Sequence, residues 1–255
     1  MAKGAYIGVG GVAKKVKKAY IGVGGVARKV KKAYIGVGGV ARLFWSGGVD
    51  PTKDTFTEDE FLSIIADGNQ ALMHVGATIA LSNRYCSTYE VIGVNHDGTT
   101  GTVDIMAHTQ VGNQKYGTGT NLYTNANNVV RPWINTTYFN EFSESIRNAA
   151  KTMSVVVKRR DGRTETTTGK VKLLSATEIG LSGSYVPSGE GSLYTGAFTA
   201  SSRWREAGTY GNTNYYVLRS AHTNSDSYVW YITSNNGASY GGYSNTYGVL
   251  PVLRF

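Results

Sequence analysis

Cysteine is nearly absent from the 255 residues: Cys86 stands alone, which rules out an intrachain disulfide and a cysteine-based metal cluster. Long apolar runs are missing too. No stretch approaches the roughly 20 apolar residues of a membrane-spanning helix, and the opening MAKGAYIGVGG lacks the apolar core of about 7 to 15 residues that a signal peptide carries. The expectation is a chain made in a bacterial-type cytoplasm without an export signal and not inserted in a membrane. The four histidines, His74, His96, His108 and His222, are dispersed without an H-E-x-x-H pair and read as satisfied or surface residues. A G-x-S-x-G elbow is also lacking, since GLSGS at 180 puts Ser184 where the last glycine belongs. Glu141, Glu144 and Glu178 read as solvated charges on helix surfaces or strand ends. The sequence therefore offers no catalytic residue, metal ligand or cofactor site, and the expectation is a protein that is not an enzyme.

Acidic residues are missing from the first 49 positions, because Asp50 is the first. Residues 1–45 hold ten of the 26 Lys and Arg, and the remainder holds 16 basic against 17 acidic residues. The basic character therefore belongs to the opening segment. The rest of the chain gives no global reason to expect nucleic acid as a partner, and a solvated face or a dock on an acidic partner accounts for the lysine clusters. Only four prolines accompany 18 tyrosines and 33 glycines, a balance that favours a β-rich or loop-rich domain over a helical one.

What is present first is a repeat. AYIGVGGVA begins at 5, 19 and 33, a period of 14 residues. Gly8, Gly10 and Ala13 match a dinucleotide-binding turn, but that turn needs a strand, a glycine loop and a helix within about 30 residues. A 14-residue unit cannot hold them, so the glycines are read as turns. With each Gly-Gly as a two-residue hairpin loop, 12-residue strands run from Val12 to Val23 and from Val26 to Val37. The register then sets Val23 opposite Val26, Ile21 opposite Arg28 and Tyr20 opposite Lys29, with Lys17 and Lys18 opposite Lys32 and Lys31. Lysine facing lysine is unfavourable, and neither strand face is cleanly apolar. The arm therefore either turns again near KVKK or completes its core by self-association. Tyr6, Ile7, Tyr20, Ile21, Tyr34 and Ile35 are the candidate assembly residues; a flexible basic tail is the alternative.

Beyond a turn-rich joint at 46–54, Thr57 to Glu60 forms a capping box before FLSIIA, closed by Asp67-Gly68, which predicts a short helix. Strands are predicted at ATIAL (77–81), TYEVIGV (88–94) and TVDIMAH (102–108), with a His96-Asp-Gly98 turn. Phe139, Phe142 and Ile146 fall at helical spacing, with Asn135 or Thr136 as the cap. MSVVVKRR and VKLLSATEI read as strands separated by a polar loop. Tyr228, Trp230 and Ile232 alternate on one strand face ahead of an Asn236-Gly237 turn.

The segments RPWINTTYFNEF, VKLLSATEIG and NYYVLRSAHTNSDSYVWYITSNNGASYGGYSNTYGVLPVLRF, in this order, resemble a domain of bacterial prophage and surface proteins. That domain is similar to the C-type-lectin-like fold of formylglycine-generating enzymes and of retroelement-diversified variable proteins. Its most specific marks here are Leu218-Arg219-Ser220 and Gly248-Val249-x-Pro251-Val252-Leu253, whereas Val217 and Leu250 depart from the usual Trp and Arg. The repeat is similar to short repeats at the front of phage-tail proteins. The resemblance implies an α+β, β-rich chain: a β-hairpin repeat arm (1–45), a linker with a short helix (46–69) and a C-type-lectin-like binding domain (70–255). Neither the cysteine pair of a formylglycine-generating enzyme nor a calcium-dependent sugar motif is matched.

The last segment interleaves tyrosines with Asn, Ser and Gly, a mixture suited to a recognition surface because Tyr gives large amphipathic contact and the amides adapt their hydrogen bonds. The candidate ligand-binding residues are Tyr210, Asn212, Asn214, Asn224, Tyr231, Asn235, Tyr240, Tyr243 and Asn245, with Tyr228 and Trp230 assigned to the core. The expected function is a receptor-binding protein of a phage tail or tail-like particle, located on the virion. Its partners would be a host cell-surface protein or glycan, other tail proteins through the arm, and sister chains, a trimer above other states. The alternative is a structural fibre component without receptor recognition.

Overall fold

A computed structural model of the chain describes residues 6–9, 12–15, 20–23, 26–30, 32–37, 40–46, 49–211 and 214–255. The chain divides into two compact units, Met1–Pro51 and Thr52–Phe255.

In the first unit each repeat closes on itself. Strands β1 (Tyr6–Val9) and β2 (Val12–Lys15) pair antiparallel, as do β3 (Tyr20–Val23) with β4 (Val26–Lys29) and β5 (Lys32–Val37) with β6 (Val40–Ser46). Val9 faces Val12, Val23 faces Val26 and Val37 faces Val40, the register that a two-residue connection imposes. Tyr20 lies opposite Lys29 and Ile21 opposite Arg28, as the sequence predicts. The predicted 12-residue strands are not formed as single elements among the described residues: Val12–Lys15 and Tyr20–Val23 belong to separate two-stranded sheets. Lys32 faces Ser46, a pairing without the like-charge penalty that the long-strand register carried. Lys17, Lys18 and Lys31 lie outside the described residues.

The second unit is β-rich with mixed sheets and short helices. Strand β7 (Thr55–Phe56) leads into helix α1 (Glu58–Ala66), where Thr57 and Glu60 make the predicted reciprocal capping box. Asp67 caps the C-terminus, and Gly68 follows at φ 69, a left-handed value natural to glycine. Phe61 and Ile64 are the buried residues of α1, and the Phe61 ring packs edge-on against Phe255 at 5.0 Å. Strands β8 (Thr78–Ala80), β9 (Thr88–Val94) and β10 (Val103–Ala107) follow the three apolar runs of the sequence. After β11 (Asn113–Lys115) comes a helical stretch that opens as α2 (Val130–Trp133), widens to a π-turn at Ile134–Tyr138 and ends in a 3-10 turn at Phe139–Glu141.

That stretch corrects the predicted helix start. Neither Asn135 nor Thr136 is a cap; Asn135 instead bridges Arg131 and Val171 through its amide. The chain extends at Phe142, and Ser143 caps α3 (Glu144–Ala149) by accepting from the Ile146 N–H at 3.3 Å. Strand β12 (Met153–Lys158) then pairs with β13 (Thr164–Gly169) as a hairpin, so TETTTG is a strand where the sequence predicts a polar loop. Of VKLLSATEI, only β14 (Val171–Leu173) is strand.

The chain closes with β15 (Tyr215–Ala221), β16 (Tyr228–Thr233), β17 (Ala238–Gly242), β18 (Thr246–Gly248) and β19 (Pro251–Arg254). Two sheets organise the unit: a six-stranded one ordered β14-β19-β10-β9-β8-β7 and a five-stranded one ordered β11-β18-β15-β16-β17. Every residue of β10 and β19 is buried, so the centre of the six-stranded sheet is covered on both faces. The turn from β18 to β19 passes the chain from one sheet to the other, which is why Val249 and Leu250 are also buried.

Candidate functional site

The marks Leu218-Arg219-Ser220 and ATEIG meet in the interior. Arg219, on β15, is buried and spends its guanidinium on Glu178 Oε2 at 2.5 Å, Glu178 Oε1 at 3.0 Å and the carbonyls of Leu173, Val156 and Glu190. Glu178 also accepts from Lys172 at 2.7 Å and from the Ser175 N–H at 2.9 Å. Burial on its own raises the Glu178 pKa, but the Arg219 and Lys172 charges outweigh it and hold the carboxyl at about 2. Glu190 lies on the other side of Arg219, accepting from the Lys158 N–H and from Ser220, and there burial wins and pushes the carboxyl up. Glu178 is thus a buried ion-pair member and not the solvated charge that its neighbours in sequence suggested. A second buried pair, Asp104 with Arg254 at 2.6 Å, takes the Tyr194 hydroxyl as well.

Directly beyond this network, His222 follows the last residue of β15, and its N–H bonds the Tyr228 carbonyl and closes the β15–β16 hairpin. The imidazole is 5% exposed and lies among four aromatic rings. Tyr185 at 5.0 Å and Trp230 at 5.7 Å stack on it, Tyr240 tilts against it at 4.5 Å, and Tyr228 meets it edge-on at 6.1 Å. Strand alternation explains the set: Tyr228 and Trp230 share one face of β16, and Tyr240 of β17 stands opposite Trp230. The outer rings are open, with Tyr185 50%, Tyr228 41% and Tyr240 47% exposed.

Two local features tighten this surface. Tyr185 adopts φ 64, a left-handed value costly for a bulky residue, and its carbonyl accepts from Trp230 Nε1 at 3.2 Å and the Thr223 N–H at 3.0 Å. His222 Nδ1 accepts the Asn224 N–H at 3.2 Å, so the proton of the neutral ring sits on Nε2. That buried Nε2–H has no hydrogen-bond partner. Burial lowers the His222 pKa, favouring the neutral form.

Beside the rings, the loop to β16 borders a cleft of about 330 Å³ lined by Asn121, Leu122, Arg159, Arg160, Asp161 and Asp226. Asn121 ties the two regions together by donating to the carbonyls of Ser225 and Tyr228. Arg160 pairs with Asp226 at 2.8 Å, and Arg159 pairs with Glu165 and Asp161. Among the described residues no three His, Cys, Asp or Glu side chains are grouped to hold a metal ion.

The nine candidate ligand residues do not form one patch. Tyr240 belongs to the His222 cluster, and exposed Asn224 borders it through its N–H. Tyr231 lies on the opposite strand face, half-buried against Tyr215 and Tyr247. Tyr210 is exposed beside Tyr85, at 5.4 Å. Asn235 shapes the β16–β17 turn by accepting from the Gly237 N–H, and Asn214 is exposed with its carbonyl held by Ser234. Tyr243 is half-buried, with its N–H on the Ser227 carbonyl, and exposed Asn245 accepts from the Tyr116 N–H. Asn212 lies outside the described residues. Tyr228, assigned to the core by alternation, is on the surface, while Trp230 is buried as expected. Tyr185 and His222 were missed; the one signal for His222 is its position two residues after Ser220.

Among the assembly candidates, Tyr6, Ile7, Tyr20, Ile21, Tyr34 and Ile35 all lie on the first strand of a repeat hairpin. No curated protein and no solved structure matches the chain. Residues 100–254, which include Glu178, Arg219, His222 and all four aromatic rings around it, match the family described as Domain of unknown function (DUF6273), and the chain belongs to that family.

Proposed function

We propose that this chain is a receptor-binding protein of a phage tail or tail-like particle. Unit Thr52–Phe255 reads a cell-surface ligand, and the basic repeat hairpins join it to the particle or to sister chains. The observation that carries the reading is the open ring set Tyr185, Tyr228 and Tyr240 around buried His222 and Trp230. Large rings held by strands β16 and β17 and by the Tyr185 turn contribute contact area at little entropic cost, the property that recognition surfaces exploit. Strain at Tyr185, held by two hydrogen bonds to its carbonyl, supports a role that the fold alone does not require. Several such heads on one particle would gain by effective concentration what each lacks in affinity.

The test is binding of the labelled full chain to a panel of intact bacterial cells, beside the Tyr185→Ala/Tyr240→Ala double variant. Binding to at least one host, lost in the variant while its circular dichroism is unchanged, is expected. A folded chain that binds no cell but co-assembles with tail proteins would replace this reading with a structural fibre component.

A further inference from the structure

The His222 surface combines three features whose chemistry converges. Its outer rings present faces, its buried Nε2–H lacks an acceptor, and the adjoining cleft carries charges that already neutralise one another. Resting on the attachment reading above, we infer that this surface takes a neutral oligosaccharide. A pyranose has one apolar C–H face and a rim of hydroxyls. The C–H face matches the electron-rich faces of Tyr185 and Tyr240, which are half-exposed.

The hydroxyls both donate and accept, so they suit a cleft that offers carboxylates (Asp161, Asp226), guanidinium groups (Arg159, Arg160) and an amide (Asn121), the last bonded to the Tyr228 carbonyl. A volume of about 330 Å³ falls in the range of small-ligand sites. Acidic sugars and phosphates are disfavoured, because Arg160 is engaged by Asp226 at 2.8 Å and Arg159 by Glu165 and Asp161. The His222 and Tyr240 ring centres are 4.5 Å apart, so a hydroxyl on a sugar that displaces the Tyr240 ring comes within the surroundings of the buried His222 Nε2, which has no partner of its own.

Two probes are applied to the full chain: an array of immobilised neutral and acidic oligosaccharides, and intact cells treated with periodate or with protease. Binding to neutral members of the array is expected, weakened about tenfold by Tyr240→Ala, as the loss of a ring contact predicts, weakened also by Asp226→Asn, which removes a cleft carboxylate, and kept by Tyr240→Phe. Asp226→Asn changes an exposed side chain, so the test does not rest on a variant that fails to fold. Cell binding is expected to disappear after periodate and to survive protease. Loss of cell binding to protease alone overturns the glycan assignment and leaves the attachment reading standing. Binding to acidic members only, or array binding insensitive to both weakening variants, also overturns it. Array binding without cell binding keeps the glycan site and removes the attachment reading; neither kind of binding removes both.

Discussion

Glu178 and Glu190 flank the same guanidinium and titrate in opposite directions, so the two carboxyls make different demands on the fold. Glu178→Gln leaves Arg219 and Lys172 buried without their counter-charge and is expected to cost about 3–5 kcal/mol in denaturant unfolding. Glu190→Gln, which removes a charge that burial already opposes, is expected to cost less than about 1 kcal/mol; equal losses would contradict the network as described. The Glu178 contribution is complete above the ordinary value of 4.5 and is lost as pH falls from there through about 2. His222 acts in a higher window. Its folded value lies below the ordinary 6.5, so the unfolded chain takes up the proton first and stability drops as pH falls below 6.5. Wild type should lose more stability than His222→Phe between about pH 7 and 5, and identical slopes would show that His222 is not the group responsible. Neither role was legible in sequence, because Arg219 meets Glu178 across 41 residues and spacing carries no trace of such a contact.

Elements defined by local chemistry were readable. The Thr57–Glu60 box, the Asp67-Gly68 stop and the runs that became β8, β9 and β10 depend on neighbours a few residues away. Elements specified by a partner were not. Strand β13 is TETTTG, without an apolar face, and exists because β12 supplies its ladder. Helix α2 holds Pro132 in its first turn, where the missing N–H removes no intrahelical bond, so the helix begins before the position that the sequence suggested. Gly248 illustrates the same dependence: a Cβ there would lie 1.6 Å from Gln110 Oε1 and 2.8 Å from the Tyr215 carbonyl. Gly248→Ala is expected to lower stability by about 1–3 kcal/mol, measured by chemical denaturation, and an unchanged midpoint would mean that Gln110 yields freely. Tyr185→Gly relieves the left-handed strain at φ 64; it should raise the melting temperature while abolishing ligand binding, a divergence that a purely structural tyrosine would not give.

At the scale of the molecule, the charge break and the repeat divide the sequence into an arm (1–45), a linker with a short helix (46–69) and a domain (70–255), while the chain forms two compact units, Met1–Pro51 and Thr52–Phe255. The local register of the hairpins followed from Gly-Gly spacing, whereas the length of their strands did not, because the 14-residue period is shared by several ways of folding the KVKK words. The assembly role proposed for the arm predicts that the full chain sediments as an oligomer, and that replacing Tyr6, Tyr20 and Tyr34 by Ser returns it to monomer with its ligand affinity per head intact; a monomeric wild type would remove that role. Connectivity adds a mechanical consequence. Any tension transmitted along the backbone from the repeats enters the second unit at Thr52 and reaches β7 first, a two-residue edge strand joined to β8. Behind it stand buried Phe56 and Phe61, with the Asp54 carbonyl held by the Thr78 N–H at 2.8 Å. So short a strand is expected to peel before the long pairs β9–β10 and β15–β16 shear, releasing slack while the sheet that carries the His222 rings stays intact.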